Sequence, residues 1–461
     1  MLASILISRP GILAASLFAA SVSAGLANEV SESRFSDKPI PLQPETFPAR
    51  PAPLVEIGQN PFLGSGYIAP GFTTPTGAVW QPVFIAYGSL RSGFQTFDSG
   101  PGVQNTEWAN RLDLFGNLYL TPTERILIGF RPLDKNNNFN GYRFKNPADE
   151  GWQNHLNGNI RTLFFEGDFG ELFPNLDPHD KRRLDYGFSI GRQPLSFQDG
   201  IMINDVVDSV GITRSSLFLF GSSASHVTAL YGWSEINHGA LFDRDAQFFL
   251  LSGAADYSLA TVETDFAYVP SSNAATGDGA YAGFGYIARF GKISSTTRVN
   301  FSWAVDDETA AVQNGTLFFQ QFNYVPAHTD NNLYLDLFVG FDNYRSAARS
   351  PDAGGPLGQT GLLFAAVGLG NYGAPLGNVA DRSVGSALGY QMFFDNHRRQ
   401  INFEIGGRTR TDIGGTDAGA VGARYQQGIG RHLIWQLDAF GVLNEGADDG
   451  FGLRSEIQYK F

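Results

Sequence analysis

The chain of 461 residues has no cysteine, which excludes disulfides and thiolate–metal frameworks. Beyond its N-terminal residues it also lacks any run of about 18 apolar residues, which excludes transmembrane helices. Seven histidines are present (His155, His179, His226, His238, His328, His397 and His432). None stands beside a serine-nucleophile signature or at zinc-ligand spacing, so the chain reads as a non-enzyme with no metal and no other cofactor. Basic residues are outnumbered, 32 against 45 acidic, for a formal net charge of −13; so acidic a protein is a poor nucleic-acid binder. Much of the excess sits between strands, as in Asp306-Asp307-Glu308 and Glu445 with Asp448-Asp449. These read as solvated loop tips rather than a calcium site.

What is abundant is glycine (55), phenylalanine (39) and tyrosine (17). With aromatics at 13% and charged residues at only 17%, disorder is excluded, yet mean hydropathy is close to zero. Alternation reconciles the two. Along the last eleven residues Phe461, Tyr459, Ile457, Ser455, Leu453 and Phe451 share one face, and Lys460, Gln458, Glu456, Arg454 and Gly452 the other. A period of two divided this way is a β-strand with one face in an apolar medium and one in water. The same split recurs at 111–120, 184–192, 297–305, 333–342, 401–410 and 433–443. Ending on Phe, with aromatics at both ends of the apolar face, the last segment resembles the closing strand of a bacterial outer-membrane barrel.

Residues 1–27 read as a secretory signal: Arg9, a short apolar core from Gly11 to Ala20, then small residues at Val22-Ser23-Ala24 or Gly25-Leu26-Ala27. Residues 28–77, with Pro39, Pro41, Pro44, Pro48, Pro51 and Pro53, form an extended tether. Residues 78–461 form the barrel. Short connections near Pro122, Gly221, Gly291, Pro326 and Asn396-His397, and longer ones at 134–156, 194–210 and 344–382, give about 18 strands. The fold class is therefore all-β, a transmembrane antiparallel barrel with room for one or more loops in the lumen. Segments 244–257 and 312–324 alternate poorly. The apolar middle of 344–382, Gly361 to Gly368, suits a constriction, packing on another loop, or an extra strand pair.

Inward side chains of such a barrel set selectivity. The expected pore-lining residues are Arg111, Asp113, Arg192, Gln193, Arg298, Asp336, Glu404, Arg408, Arg410, Arg424, Arg454 and Glu456. Arginine suits carboxylate, sulfate, phosphate and sugar hydroxyls; opposed rows of arginine and carboxylate would make a transverse field. Arg192 falls on the apolar parity, so either the strand bulges at Gly191 or Arg192 lies beyond the membrane band.

The stretch Gly191-Arg192-Gln193, ending a strand ahead of a polar loop, resembles the alginate-export-type family of outer-membrane barrels over most of 78–461. The resemblance implies 18 strands, an arginine-lined pore, passage of an anionic polysaccharide, and Arg192 and Gln193 in the lumen. The chain departs from that pattern in Pro194 and in its near-equal numbers of inward carboxylates and arginines. The expected function is passive passage of a hydrophilic, anionic or saccharide-type solute across the bacterial outer membrane. The expected partners are outer-membrane lipid and lipopolysaccharide, the solute, and periplasmic export or uptake proteins. A sheath around a periplasmic partner and an outer-membrane hydrolase are the alternatives.

Overall fold

The computed structural model describes residues 52–58, 71–100, 104–146, 149–179, 181–239, 241–412 and 416–461. The expected signal peptide and most of the proline-rich segment lie outside them. Eighteen long strands follow one another. The first nine are β1 Val83–Asp98, β2 Asn105–Tyr119, β3 Arg125–Phe130, β4 Ile160–Asp168, β5 Tyr186–Phe197, β6 Ile203–Leu217, β7 Ala224–Trp233, β8 Gln247–Asp256 and β9 Ala260–Val269. The second nine are β10 Gly279–Phe290, β11 Ile293–Ala304, β12 Gly315–Tyr324, β13 Asn332–Asn343, β14 Asp381–Phe394, β15 Arg399–Arg410, β16 Asp417–Ile429, β17 Leu433–Asn444 and β18 Gly450–Lys460. Each pairs antiparallel with the next, and β18 returns to β1, from Phe451 opposite Asp98 to Lys460 opposite Ser89. Closure pairs the first and last strands, which would be the two edges of an open sheet. Where β1 extends past Ser89, Val55–Ile57 pairs with Phe84, Ile85 and Ala86 and covers the overhang.

The outer face is a band of exposed apolar side chains, among them Phe94, Ile190, Leu251, Phe266, Ile405, Val421, Leu453 and Ile457. Such a belt belongs in hydrocarbon rather than water. The interior is partly filled by packed side chains and loops. Phe248, Leu250, Leu230 and Val207 of β6–β8 are buried in one apolar cluster inside the wall. Leu317, Phe319, Phe338 and Ala420 join a second, together with Leu357, Leu363 and Phe364 of the β13–β14 connection. This explains why 244–257 and 312–324 alternate poorly: apolar residues occupy both faces of β8 and β12, one toward lipid and one toward loops packed inside.

The long connection expected at 194–210 is instead mostly strand. β5 runs to Phe197 and β6 resumes at Ile203. Pro194 is accommodated because β4 pairs with β5 only as far as Arg192, so beyond that point one side of β5 is free of a ladder.

Inside the barrel, large rings lie over glycines directly across the ladder: Tyr334 over Gly389, Phe338 over Gly385 and Phe440 over Gly452. A Cβ at any of the three glycines would collide with the ring. Gly389→Ala should therefore displace Tyr334 and cost about 1–3 kcal/mol, read as a lower temperature of barrel unfolding in detergent; unchanged heat resistance would show that the ring has room.

The β7–β8 connection carries a small hairpin, Ile236–His238 against Leu241–Asp243, fastened by Asn237 to the Asp205 carboxylate at 2.8 and 2.9 Å. His238 is buried, with Nε2 2.9 Å from the Tyr281 hydroxyl. Burial, outweighing Asp243 and Asp278, pulls its pKa down to about 4. The packed hairpin thus binds fewer protons than the open one. Its stability is complete above the ordinary histidine range and is lost as pH falls from about 6.5 toward 4. Proteolysis of 234–246 should rise between pH 7 and pH 5, and His238→Asn should flatten that dependence.

Candidate functional site

The connection between β13 and β14, residues 344–380, enters the barrel and is tied to its wall along its length. Its apolar middle lies against inward side chains of the wall, while its entry adds a short strand pairing. At its entry Ala348–Arg349 pairs with Ile203 and Asn204 of β6. The buried Arg349 guanidinium donates to the carbonyls of Gly200 and Ile201 at the β5–β6 turn; burial lowers its pKa to about 10. Asp352 then accepts from Arg161 on β4 at 3.0 Å and from Arg131, just past β3. Burial alone would raise the Asp352 pKa, but these two guanidinium groups hold it well below the usual carboxylate range.

Further along, Leu362 and Leu363 donate their backbone N–H groups to Glu404 on β15, both at 2.8 Å. The carbonyls of Val367, Gly368 and Leu369 accept from Arg91, Arg111 and Gln95 on β1 and β2 at 3.2, 3.1 and 3.0 Å. Asn371 reaches Glu107 at 2.9 Å. On the way out, Arg408 donates to the carbonyls of Leu376 and Val379 at 2.9 and 3.1 Å. A chain segment crossing a lumen must have its backbone groups satisfied, and here charged side chains of the wall do much of it.

The same wall carries an arc of guanidinium groups on neighbouring strands. In one half Asp438 joins Arg424 to Arg454, and Glu456 joins Arg454 to Arg91. In the other, Asp113 joins Arg111 to Arg131, and Asp352 joins Arg131 to Arg161. Six guanidinium groups share four carboxylates. The halves meet where Arg91 and Arg111 stand directly across the β1–β2 ladder; among the described residues no ion pair joins the halves there, and each guanidinium also donates to a loop carbonyl. Like charges so placed repel. An anion entering there would relieve the repulsion and find planar donors. Arg454 is fully buried, whereas Arg91, Arg131, Arg161 and Arg424 keep 19–29% of their side chains exposed.

The opposite wall is acidic. On β11, nine to ten strands from β1 and β2, Arg298 is buried between Asp199 at 2.7 Å and Glu263 of β9. Gln198 links it to Asp265. Arg298, expected in a row of arginines, stands instead among carboxylates.

Of the residues expected in the pore, Arg111, Asp113, Arg424, Arg454 and Glu456 join the arc, while Glu404 and Arg408 hold the loop. Arg298 centres the acidic wall. Asp336 points inward but is buried, with one carboxylate oxygen lacking a hydrogen-bond partner among the described residues. Arg410 pairs with Asp412 at the rim, at 2.7 Å. Gln193 faces inward but is buried on Ser209 at 2.8 Å.

Arg192 is a correction. The register runs unbroken through Gly191, so no bulge turns Arg192 inward. It stays on the outward parity of Ile190 and Val210 and pairs with Asp208 at 3.2 Å and Glu235 at 2.6 Å. Sequence reading missed Arg91, Arg131, Arg161, Arg349 and Asp352. Arg131 and Arg161 lie where the ladder is irregular or ends, at Pro132 and beside the shift between Ile160 and Thr162, so alternation assigns them no face. Arg91 sits in a regular strand and alternation alone would have found it.

No family model matches the sequence, and no curated protein does. Solved structures do. A BenF-like porin from Pseudomonas fluorescens Pf-5 aligns at a TM-score of 0.57 and 10% identity, covering 82% of this chain and 98% of that one. OccAB3 of Acinetobacter baumannii aligns at 0.54 and 11%, covering 82% and 99%. OccK2 (OpdF) of Pseudomonas aeruginosa, in complex with glucuronate, aligns at 0.54 and 10%, covering 82% and 98%. The fold is the 18-stranded porin barrel. At such identities the likeness is one of fold, and the alginate-export resemblance gains nothing from it.

Asp352→Asn should unfasten the entry limb of the porin-type barrel's inner loop by leaving Arg161 without its carboxylate, costing about 3 kcal/mol. The expected outcome is faster proteolysis within 350–380 with the strand circular dichroism unchanged; equal protection would show that Arg349 alone fixes that limb.

Proposed function

We propose that the protein is an outer-membrane channel for passive passage of small hydrophilic anions, sugar acids among them. The observation that carries this is the arginine arc, positive where Arg91 faces Arg111 and partly open to solvent, with an acidic wall across the lumen. An anion moving along the arc exchanges its hydration for successive guanidinium forks, each attractive enough to enter and weak enough to leave. The fold supports a channel, and the glucuronate bound to one structural neighbour supports a sugar acid as the chemical class. Residues 1–27 would direct export to the periplasm, and the outer belt would meet lipid and lipopolysaccharide.

The inner loop favours small solutes over polysaccharide export, the reading that the 191–193 resemblance suggested. A polymer needs a continuous wide passage, and 344–380 is bound to β1, β2, β4, β6 and β15. Arg192, facing outward, cannot line a polymer path.

Planar-bilayer recording tests the reading. The purified protein should give stepwise currents and an anion-selective reversal potential in a salt gradient. Arg91→Ala with Arg111→Ala should lower the anion-to-cation permeability ratio several-fold, and glucuronate should interrupt the wild-type current more than an uncharged sugar does. A barrel that stays sealed to ions points instead to a sheath or an enzyme; a double variant with unchanged selectivity removes the arc from the pathway.

A further inference from the structure

We propose that Glu404 is an ionisation-dependent latch for the inner loop, so that acid releases the loop tip from the wall. Glu404 projects inward from β15 and is almost wholly buried. Its carboxylate accepts the N–H groups of Leu362 and Leu363 and the hydroxyl of Tyr334 on β13. Gly361 makes the arrangement possible. Its φ of +126° is a conformation L side chains rarely adopt, and a Cβ there would strike the Glu404 carboxylate. Two successive N–H groups converging on one anion form a small backbone nest.

The charged and titratable groups around the latch offer little else to balance it. Among the described residues Glu404 forms no ion pair. β13 presents Tyr334 and the buried carboxyl of Asp336, whose unpartnered oxygen lies among the same strands. The adjacent strand β16 contributes Arg424, which is engaged with Asp438. The loop itself brings only backbone donors. The charge is therefore held by three hydrogen bonds, two of them from the loop. A protonated Glu404 loses the charge assistance and turns one oxygen into a donor facing donors, which removes at least one of those bonds. The other anchors respond differently: the arginines keep their charge, and Asp352 lies between two of them.

Hydrogen exchange of the full barrel in detergent, corrected for intrinsic rates, tests this. As pH falls from 7 through the carboxylate range, the amides of Leu362 and Leu363 should lose protection about tenfold, the equivalent of one charge-assisted bond. Glu404→Gln should show the released rate already at pH 7 with no further step. Glu107→Gln, which alters the exit limb at Asn371, should leave the step in place. Wild-type protection that is flat with pH overturns the latch, as does a step that survives Glu404→Gln or disappears in Glu107→Gln. Should Glu404→Gln not fold, Tyr334→Phe serves: losing a donor to the carboxylate should move the acid step to higher pH, and an unmoved step overturns the proposal. In bilayers the same acidification should increase current fluctuations. That readout rests on the channel reading, whereas exchange does not, so failure of one is separable from failure of the other.

Discussion

A polypeptide segment placed inside a barrel has few strands to pair with, yet its peptide groups must still be satisfied. Residues 344–380 meet that constraint by using the wall. Carbonyls of Val367, Gly368, Leu376 and Val379 take guanidinium donors from Arg91, Arg111 and Arg408, and the N–H groups of Leu362 and Leu363 take the Glu404 carboxylate. Much of the ionic content of the interior follows from this. A wall carrying only arginines would bind the carbonyls of the loop and leave the N–H groups of Leu362, Leu363 and Asn371 without their carboxylate acceptors. The mixed charge seen in the sequence is what a tethered loop needs, and it does not weaken an anion pathway.

The barrel itself was legible because its outer face obeys a single rule. Phe451, Leu453, Ile457 and Tyr459 of β18 alternate with Gly452, Arg454, Glu456 and Gln458 since one side meets an apolar medium and the other does not. Rules of that kind are local and survive in one strand at a time. The inner face obeys no single rule. Phe248 and Leu250 point inward under one packed hairpin, and Leu317 and Phe319 under the inner loop, so polarity stops reporting orientation there. The count of about 18 strands held despite those two weak segments, because the alternation in the other strands is regular.

The site was legible by halves. Arg111, Asp113, Arg454 and Glu456 were found because they alternate with leucine, isoleucine or phenylalanine in regular strands, and Arg424 because it alternates with Val421 and Tyr425. Their roles were not, since pairing Asp438 with Arg454, or Arg131 with Asp352, depends on three-dimensional neighbours hundreds of residues apart in the second case. Arg192 shows the converse failure. Parity alone placed it outside, and a glycine beside it suggested a bulge; the φ of +126° at Gly191 is accommodated within an unbroken ladder instead. The conformational freedom of glycine was used, but not to shift the register.

The division of charge inside the barrel follows from where the loop is fastened. Its exit limb crosses β1 and β2 with carbonyls turned to the wall, so guanidinium groups gather there; across the lumen Asp199 and Glu263 enclose Arg298. Because Arg454 is fully buried while Arg91 and Arg131 are not, the arc has a structural half and an accessible half. Asp438 and Glu456 fix the first. The second runs from Arg111 to Arg131 and Arg161, bridged by Asp113 and Asp352, and meets the first at Arg91. In the proposed channel a passing anion would meet side chains whose positions are already set by the loop they hold, so the field and any narrowing by the loop would be one construction: detaching the loop at 367–371 would free the arginines bound to its carbonyls.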